Sequence, residues 1–224
     1  MNYRNTRSYL NCEKRIFEGV GDMEFPEIAP LEMDVTDVQM VGFNYAKTEK
    51  DSENKIVHFF LDDYQFERVW NNPDIYLSVL QRFKAVITPD FSTYLDFPKA
   101  VQIFNVYRRQ WCGAYWQSYG IKVIPTVRWI EGADEWCFDG VPKNSLICLS
   151  TVGGFREKEI TKLWLDGYHR VLDAIEPSHI LFYGKLYPEI DIHCPYTVAV
   201  NQNTLNRKLA RQRMDAEKYA KMEE

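Results

Sequence analysis

The chain has 224 residues, and its 27 Lys and Arg against 32 Asp and Glu leave a formal net charge of −5. Proteins that track a phosphate backbone usually carry a basic excess, so extended nucleic-acid binding is disfavoured. The five cysteines, Cys12, Cys112, Cys137, Cys148 and Cys194, never form a C-x-x-C pair, which argues against a disulfide scaffold or a cysteine-rich zinc site.

The length suits one domain with its own core. No apolar run approaches the ~20 residues of a membrane helix, and residues 1–7 lead into no apolar signal region. The expectation is a cytoplasmic protein with no membrane partner. Aromatic residues make up 15% of the chain, enough for a large aromatic core, with some rings free to line a pocket or stack on bases.

In chain order, residues 1–37 read as an extended arm, punctuated by Pro26 and Pro30. A single α/β domain follows over 38–203. Short apolar runs at 38–43, 56–61, 85–88, 121–124, 146–149, 180–183 and 197–200 read as strands. Between them lie helical patterns: 64–83, broken near Asn72-Pro73; 97–119, ended by Gly120; and 156–175, with Ile160, Leu163, Trp164, Tyr168, Val171 and Ile175 on one stripe. A charged helix is expected over 204–224. The strands are continuous rather than alternating, as strands buried on both faces are. Strand–helix alternation of this kind predicts a mainly parallel sheet. Because no dinucleotide fingerprint follows the first strand, a complete or degenerate (β/α) barrel is favoured over an open doubly wound sheet.

Either architecture binds ligands at the carboxyl ends of its strands. That rule selects Asp62 and Asp63, Asp90, Arg128, Ser150 to Gly154, Tyr183 to Lys185 and Asn201 to Asn203. Loops after strands are polar in every such protein, because helix N-caps want short polar side chains. Ser150, Thr151, Gly153 and Gly154 join a strand to a strong helix, where glycines and a helix N-terminus can cradle phosphate. The spacing matches neither established phosphate loop, and a glycine turn with a Ser/Thr cap reads equally from it. Lys185 could add positive charge there, or be a surface lysine.

Asp62 and Asp90, on neighbouring strands, could act as acid and base or hold Mg²⁺, and each alone reads as a cap or turn residue. His58 lies inside an apolar strand, and no H-E-x-x-H or G-x-S-x-G pattern occurs. Arg108 and Arg109 could meet an acidic ligand; alternatively the 97–119 helix is amphipathic, with its aromatic face in the core and both arginines in solvent.

Asn105-Val106-Tyr107-Arg108-Arg109, Trp116-Gln117 with Tyr119 to Pro125, the Phe138-Asp139-Gly140 turn, Ser150-Thr151-Val152-Gly153 and Phe182-Tyr183-Gly184-Lys185 together resemble domain of unknown function 4417. That family occurs in phages, prophages and mobile elements, and the resemblance runs over roughly residues 35 to 200. It carries no catalytic residues across. It implies a phage-type protein in a bacterial cytoplasm, in genome maintenance or in countering host defence. The reading favoured on the residues is a protein that binds, and could hydrolyse, a phosphate-bearing small molecule such as a nucleotide or nucleotide signal. Asp62, Asp90 and Lys185 are its catalytic candidates, and Ser150, Thr151, Gly153, Gly154, Arg128, Tyr183 and Arg108 its ligand-binding ones. The rival readings are an interaction module that blocks a host protein, and a Mg-dependent nuclease or replication protein.

Overall fold

The computed structural model describes residues 10–133 and 136–201. The expectations for Gln202 and Asn203 and for a helix over 204–224 lie outside the described residues. Seven strands form one sheet: β3 (Gln39–Gly42), β4 (Lys55–His58), β5 (Ala85–Ile87), β6 (Val123–Ile124), β7 (Leu146–Ser150), β8 (His179–Tyr183) and β9 (Tyr196–Asn201). Their order is β6-β5-β4-β3-β9-β8-β7, and every pairing within it is parallel. Two residues apiece, β1 (Gly19–Val20) and β2 (Phe25–Pro26) make a separate antiparallel pair.

The helices fill the crossovers. α1 is Phe43–Ala46, α2 Arg68–Asn71, α3 Pro73–Leu80, α4 Lys99–Gln117 and α5 Lys158–Ile175. Asn72-Pro73 separates α2 from α3, as expected where a proline removes a backbone donor and suits only a first turn. α4 stops where Gly120 takes φ +79°, letting the Ile121 N–H reach back to the Trp116 carbonyl.

Alternation along β7 and β8 shows how the sheet is covered. Leu146, Cys148, Leu181 and Tyr183 belong to one core cluster. Ile147, Leu149, Ile180 and Phe182 pack in another, against Trp164, Tyr168, Val171 and Ile175 of α5. Both faces are therefore dry, which is why these strands read as unbroken apolar runs.

Two sets of contacts bend the sheet. β4 and β8 are separated by β3 and β9 in the strand order, about 14 Å on a flat sheet. Yet the rings of His58 and Tyr183 are 4.6 Å apart, so the inner faces of these strands meet across a curl. At the far edges, Thr126 just beyond β6 bridges Cys148 of β7 in parallel. The Cys148 N–H donates to the Pro125 carbonyl at 2.9 Å, and the Val127 N–H to the Cys148 carbonyl at 3.1 Å.

α4 corrects one sequence-based expectation. Its arginines are not in solvent: Arg108 and Arg109 are both buried, as is every residue from Arg108 to Trp116. One side faces the sheet, and remote chain covers the other. The Gln117 side chain exchanges hydrogen bonds with the Ala29 backbone, Trp111 Nε1 donates to the Arg15 carbonyl, and Gln110 Nε2 donates to the Asp139 carbonyl.

Candidate functional site

The carboxyl ends of β4 to β8 bring together Asp90, Arg128, Ser150, Thr151 and Tyr183, all expected there, with His58, Phe60 and Arg109. Asp90 follows β5 and is buried. Arg128 follows β6, and its Nε lies 2.9 and 3.1 Å from the two Asp90 carboxylate oxygens, with Nη2 at 2.6 Å. This fork-to-carboxylate pairing fixes the guanidinium plane. The Asp90 charge is the main reason the Arg128 pKa rises above its ordinary value. The Arg128 side chain is still 44% exposed, and its Nη1 takes no part in these bonds.

Beneath this pair lies Arg109, 2% exposed. Its Nη2 donates a long bond, 3.4 Å, to the Phe91 carbonyl, and its Nε has no partner among the described residues. Burial lowers its pKa, the Asp90 charge opposes that, and the Arg128 charge adds to it. The same carboxylate reaches Cys148, whose thiol is pushed well up by burial and then by Asp90. Tyr183 is pushed up to about 12, by burial and then by Cys148. Asp90 is thus the electrostatic centre of the group.

His58 ends β4 on the inner face, with its ring 4.6 Å from that of Tyr183 and 6.0 Å from that of Phe60. Phe60 stacks on Tyr183 at 4.6 Å. The sequence signal for His58 is a lone polar residue inside the apolar run 56–61. Its neighbours across the curl, which decide its role, carry no local signature.

The remaining candidates are placed as follows. Asp62 is exposed and accepts a bond from Gln65 Nε2 at 3.3 Å; it shares no partner with Asp90. Asp63 instead ties two loops together, accepting from the Ser92 N–H at 3.1 Å and Ser92 Oγ at 2.8 Å. Among the described residues no group of three or more His, Cys, Asp or Glu side chains could hold a metal ion.

Ser150 Oγ accepts from the Val152 N–H, and Thr151 Oγ1 donates to the Lys185 carbonyl at 2.8 Å, clasping the loops after β7 and β8. Lys185 is exposed, its Nζ 5.0 Å from the Tyr187 ring. Arg108 is committed elsewhere: it pairs with Glu67, donates to Asn105 Oδ1 at 2.6 Å, and lies 4.0 Å over the Phe91 ring.

Gly153 and Gly154 do not sit at a helix N-terminus. α5 starts at Lys158, with Glu157 at the position before it and Glu159 in its first turn, and those carboxylates oppose a bound anion. Gly154 is small for another reason: a Cβ there would fall 2.3 Å from the Trp164 ring.

A family model described as Domain of unknown function (DUF4417) matches residues 17–202. The Gene 1 protein of Mycobacterium phage L5 is 38% identical over 183 residues, 80% of this chain and 79% of that protein. The Gene 1 protein of Mycobacterium phage D29 is 43% identical over 140 residues, 62% of this chain and 52% of that protein. No solved structure matches.

Proposed function

We propose a function for a chain that belongs to the family Domain of unknown function (DUF4417) and is similar to mycobacteriophage proteins: it binds a phosphate-bearing small molecule at the carboxyl-terminal mouth of a seven-stranded parallel barrel. Support for the barrel comes from the strand order, in which the first of the seven strands, β3, neighbours the last, β9, and β6 and β7 are left as the two edges, and from the hydrogen bonds that join the stretch after β6 to β7. An open doubly wound sheet would leave those two edges unpaired.

The observation that carries the binding reading is the Asp90–Arg128 clamp. A guanidinium held in plane by one carboxylate, with Nη1 left over and part of the side chain exposed, is preorganised for an oxyanion. Arg109 beneath it and Lys185 on the next loops add cationic charge. Binding is favoured over hydrolysis because both Asp90 oxygens are engaged by Arg128, and Asp62 shares no partner with Asp90. Ser150, Thr151 and Tyr183 shape the rim, whereas Arg108 and Gly154 serve packing and Gly153, at φ +83°, serves the turn.

The test is a thermal-shift and calorimetric comparison of the wild type and Arg128→Ala against inorganic pyrophosphate and nucleotides. A ligand at a hundred times its dissociation constant adds roughly 2.7 kcal/mol, a Tm rise of roughly 5 to 10 °C for a chain of this size. The expected outcome is a rise in the wild type that Arg128→Ala abolishes. A rise of equal size in both would refute the clamp as the binding site. Release of inorganic phosphate by the wild type, lost in Asp90→Asn, would replace binding with hydrolysis.

A further inference from the structure

His58 is 1% exposed, and neither Nδ1 nor Nε2 has a hydrogen-bond partner among the described residues. Burial pushes its pKa down to about 3, so near neutral pH the ring is uncharged, with one N–H donor and one bare acceptor. Buried polar atoms are paired in the great majority of cases, and an exception calls for a ligand or water that completes it. A residue needed only to fill this position would be apolar, as the adjoining Phe59 and Phe60 are.

The surroundings narrow what could complete it. His58 is walled by the rings of Tyr183 and Phe60, and Phe60 is the half-buried member, so a ligand reaches His58 by displacing the Phe60 ring. Flat aromatic walls accept a planar group. An uncharged donor and acceptor suit the edge of a neutral heteroaromatic ring, which presents both kinds of group side by side. A second phosphate or a carboxylate would need a cation here, and a bare sugar would need more polar partners. β4, which carries His58, and β6, which leads to Arg128, are two strands apart. That is about 10 Å, a separation that a nucleoside monophosphate bridges from base to phosphate.

We propose that the phosphate-bearing ligand is a nucleotide, and that His58 is the residue that selects its base, pairing with the base edge while the phosphate lies on Arg128. This rests on the anion-binding reading of the Asp90–Arg128 clamp. Binding supplies partners for both ring nitrogens and seats the base against Phe60.

The experiment is isothermal titration of the full chain with AMP, GMP, CMP, UMP, ribose 5-phosphate and inorganic pyrophosphate, repeated with His58→Phe and His58→Asn. At least one nucleotide is expected to bind tenfold or more tighter than ribose 5-phosphate. His58→Phe keeps an aromatic ring but loses both polar atoms, and should bring that nucleotide to within threefold of ribose 5-phosphate. His58→Asn, which restores a donor and an acceptor, should recover part of the preference. Should His58→Phe fail to fold by circular dichroism, His58→Leu takes its place. If ribose 5-phosphate binds as tightly as every nucleotide, base selection is wrong and the anion site stands. If His58→Phe keeps the full preference, the assignment to His58 is wrong. If no phosphate compound binds the wild type, the clamp reading fails, and this inference with it.

Discussion

Asp90 and Arg128 stand 38 positions apart in the chain, and each was selected separately, as a polar residue just past a strand. The structure makes them one unit. Because Arg128 is partly exposed, their coupling should be modest: a double-mutant cycle with Asp90→Ala and Arg128→Ala in urea should give a coupling free energy of about 1 kcal/mol. Strictly additive losses would show that the pair is not formed in solution.

His58 makes the opposite point at the same scale, since the sequence displays the residue without its role. Its surroundings include Tyr183 of β8, which is remote in the chain and meets His58 only in space. Its pKa of about 3 in the fold lies below the ordinary value near 6.5. As pH falls below about 6.5 the unfolded chain takes up a proton there and the folded one does not, so stability is lost between about pH 6.5 and pH 3, at roughly 1.4 kcal/mol per unit. His58→Phe lacks this term. The difference in unfolding free energy between variant and wild type should therefore shift in the variant's favour as pH drops from 7 to 4, and a pH-independent difference would contradict the burial of a neutral ring.

Elements were legible where one face alone decides them. On α5, Trp164, Tyr168, Val171 and Ile175 are buried as their spacing predicts, whereas Ile160 and Leu163 of the same expected stripe are exposed, and the helix begins two residues later than expected, at Lys158. α4 was less legible because helical periodicity reports one buried face, and this helix has cover on two. The second cover comes from residues 15, 29 and 139, whose arrival no local pattern announces. The glycine pair shows a related limit. Two glycines before a helix suggest an anion cradle, yet at Gly154 the missing Cβ is what admits Trp164. Gly154→Ala should cost about 1–3 kcal/mol of stability in urea unfolding while leaving pyrophosphate affinity unchanged. A loss of affinity without loss of stability would return the cradle to consideration.

For the whole molecule, the count and positions of the seven strands and their parallel direction followed from apolar runs alternating with helices. What periodicity cannot carry is how the sheet curls, because the contacts that bear on it, the His58–Tyr183 ring contact and the few hydrogen bonds after β6, join residues far apart in the chain. No described helix is long and apolar enough to cross a membrane.

The place of β9 between β8 and β3 has a consequence for biosynthesis. It pairs with β8 through Tyr196–Ala199 and with β3 through Val200 and Asn201, so the strand made last is the one that joins the first of the seven to the rest. While it is still inside the ribosome, β3 and β8 each present an open row of backbone donors and acceptors, and the nascent chain has no complete sheet to fold into. Native structure should therefore form only once β9 has emerged, rather than vectorially. A ribosome-bound chain stopped at Pro195 should be cut by brief protease treatment at rates typical of unfolded polypeptide, and the released full-length protein should resist.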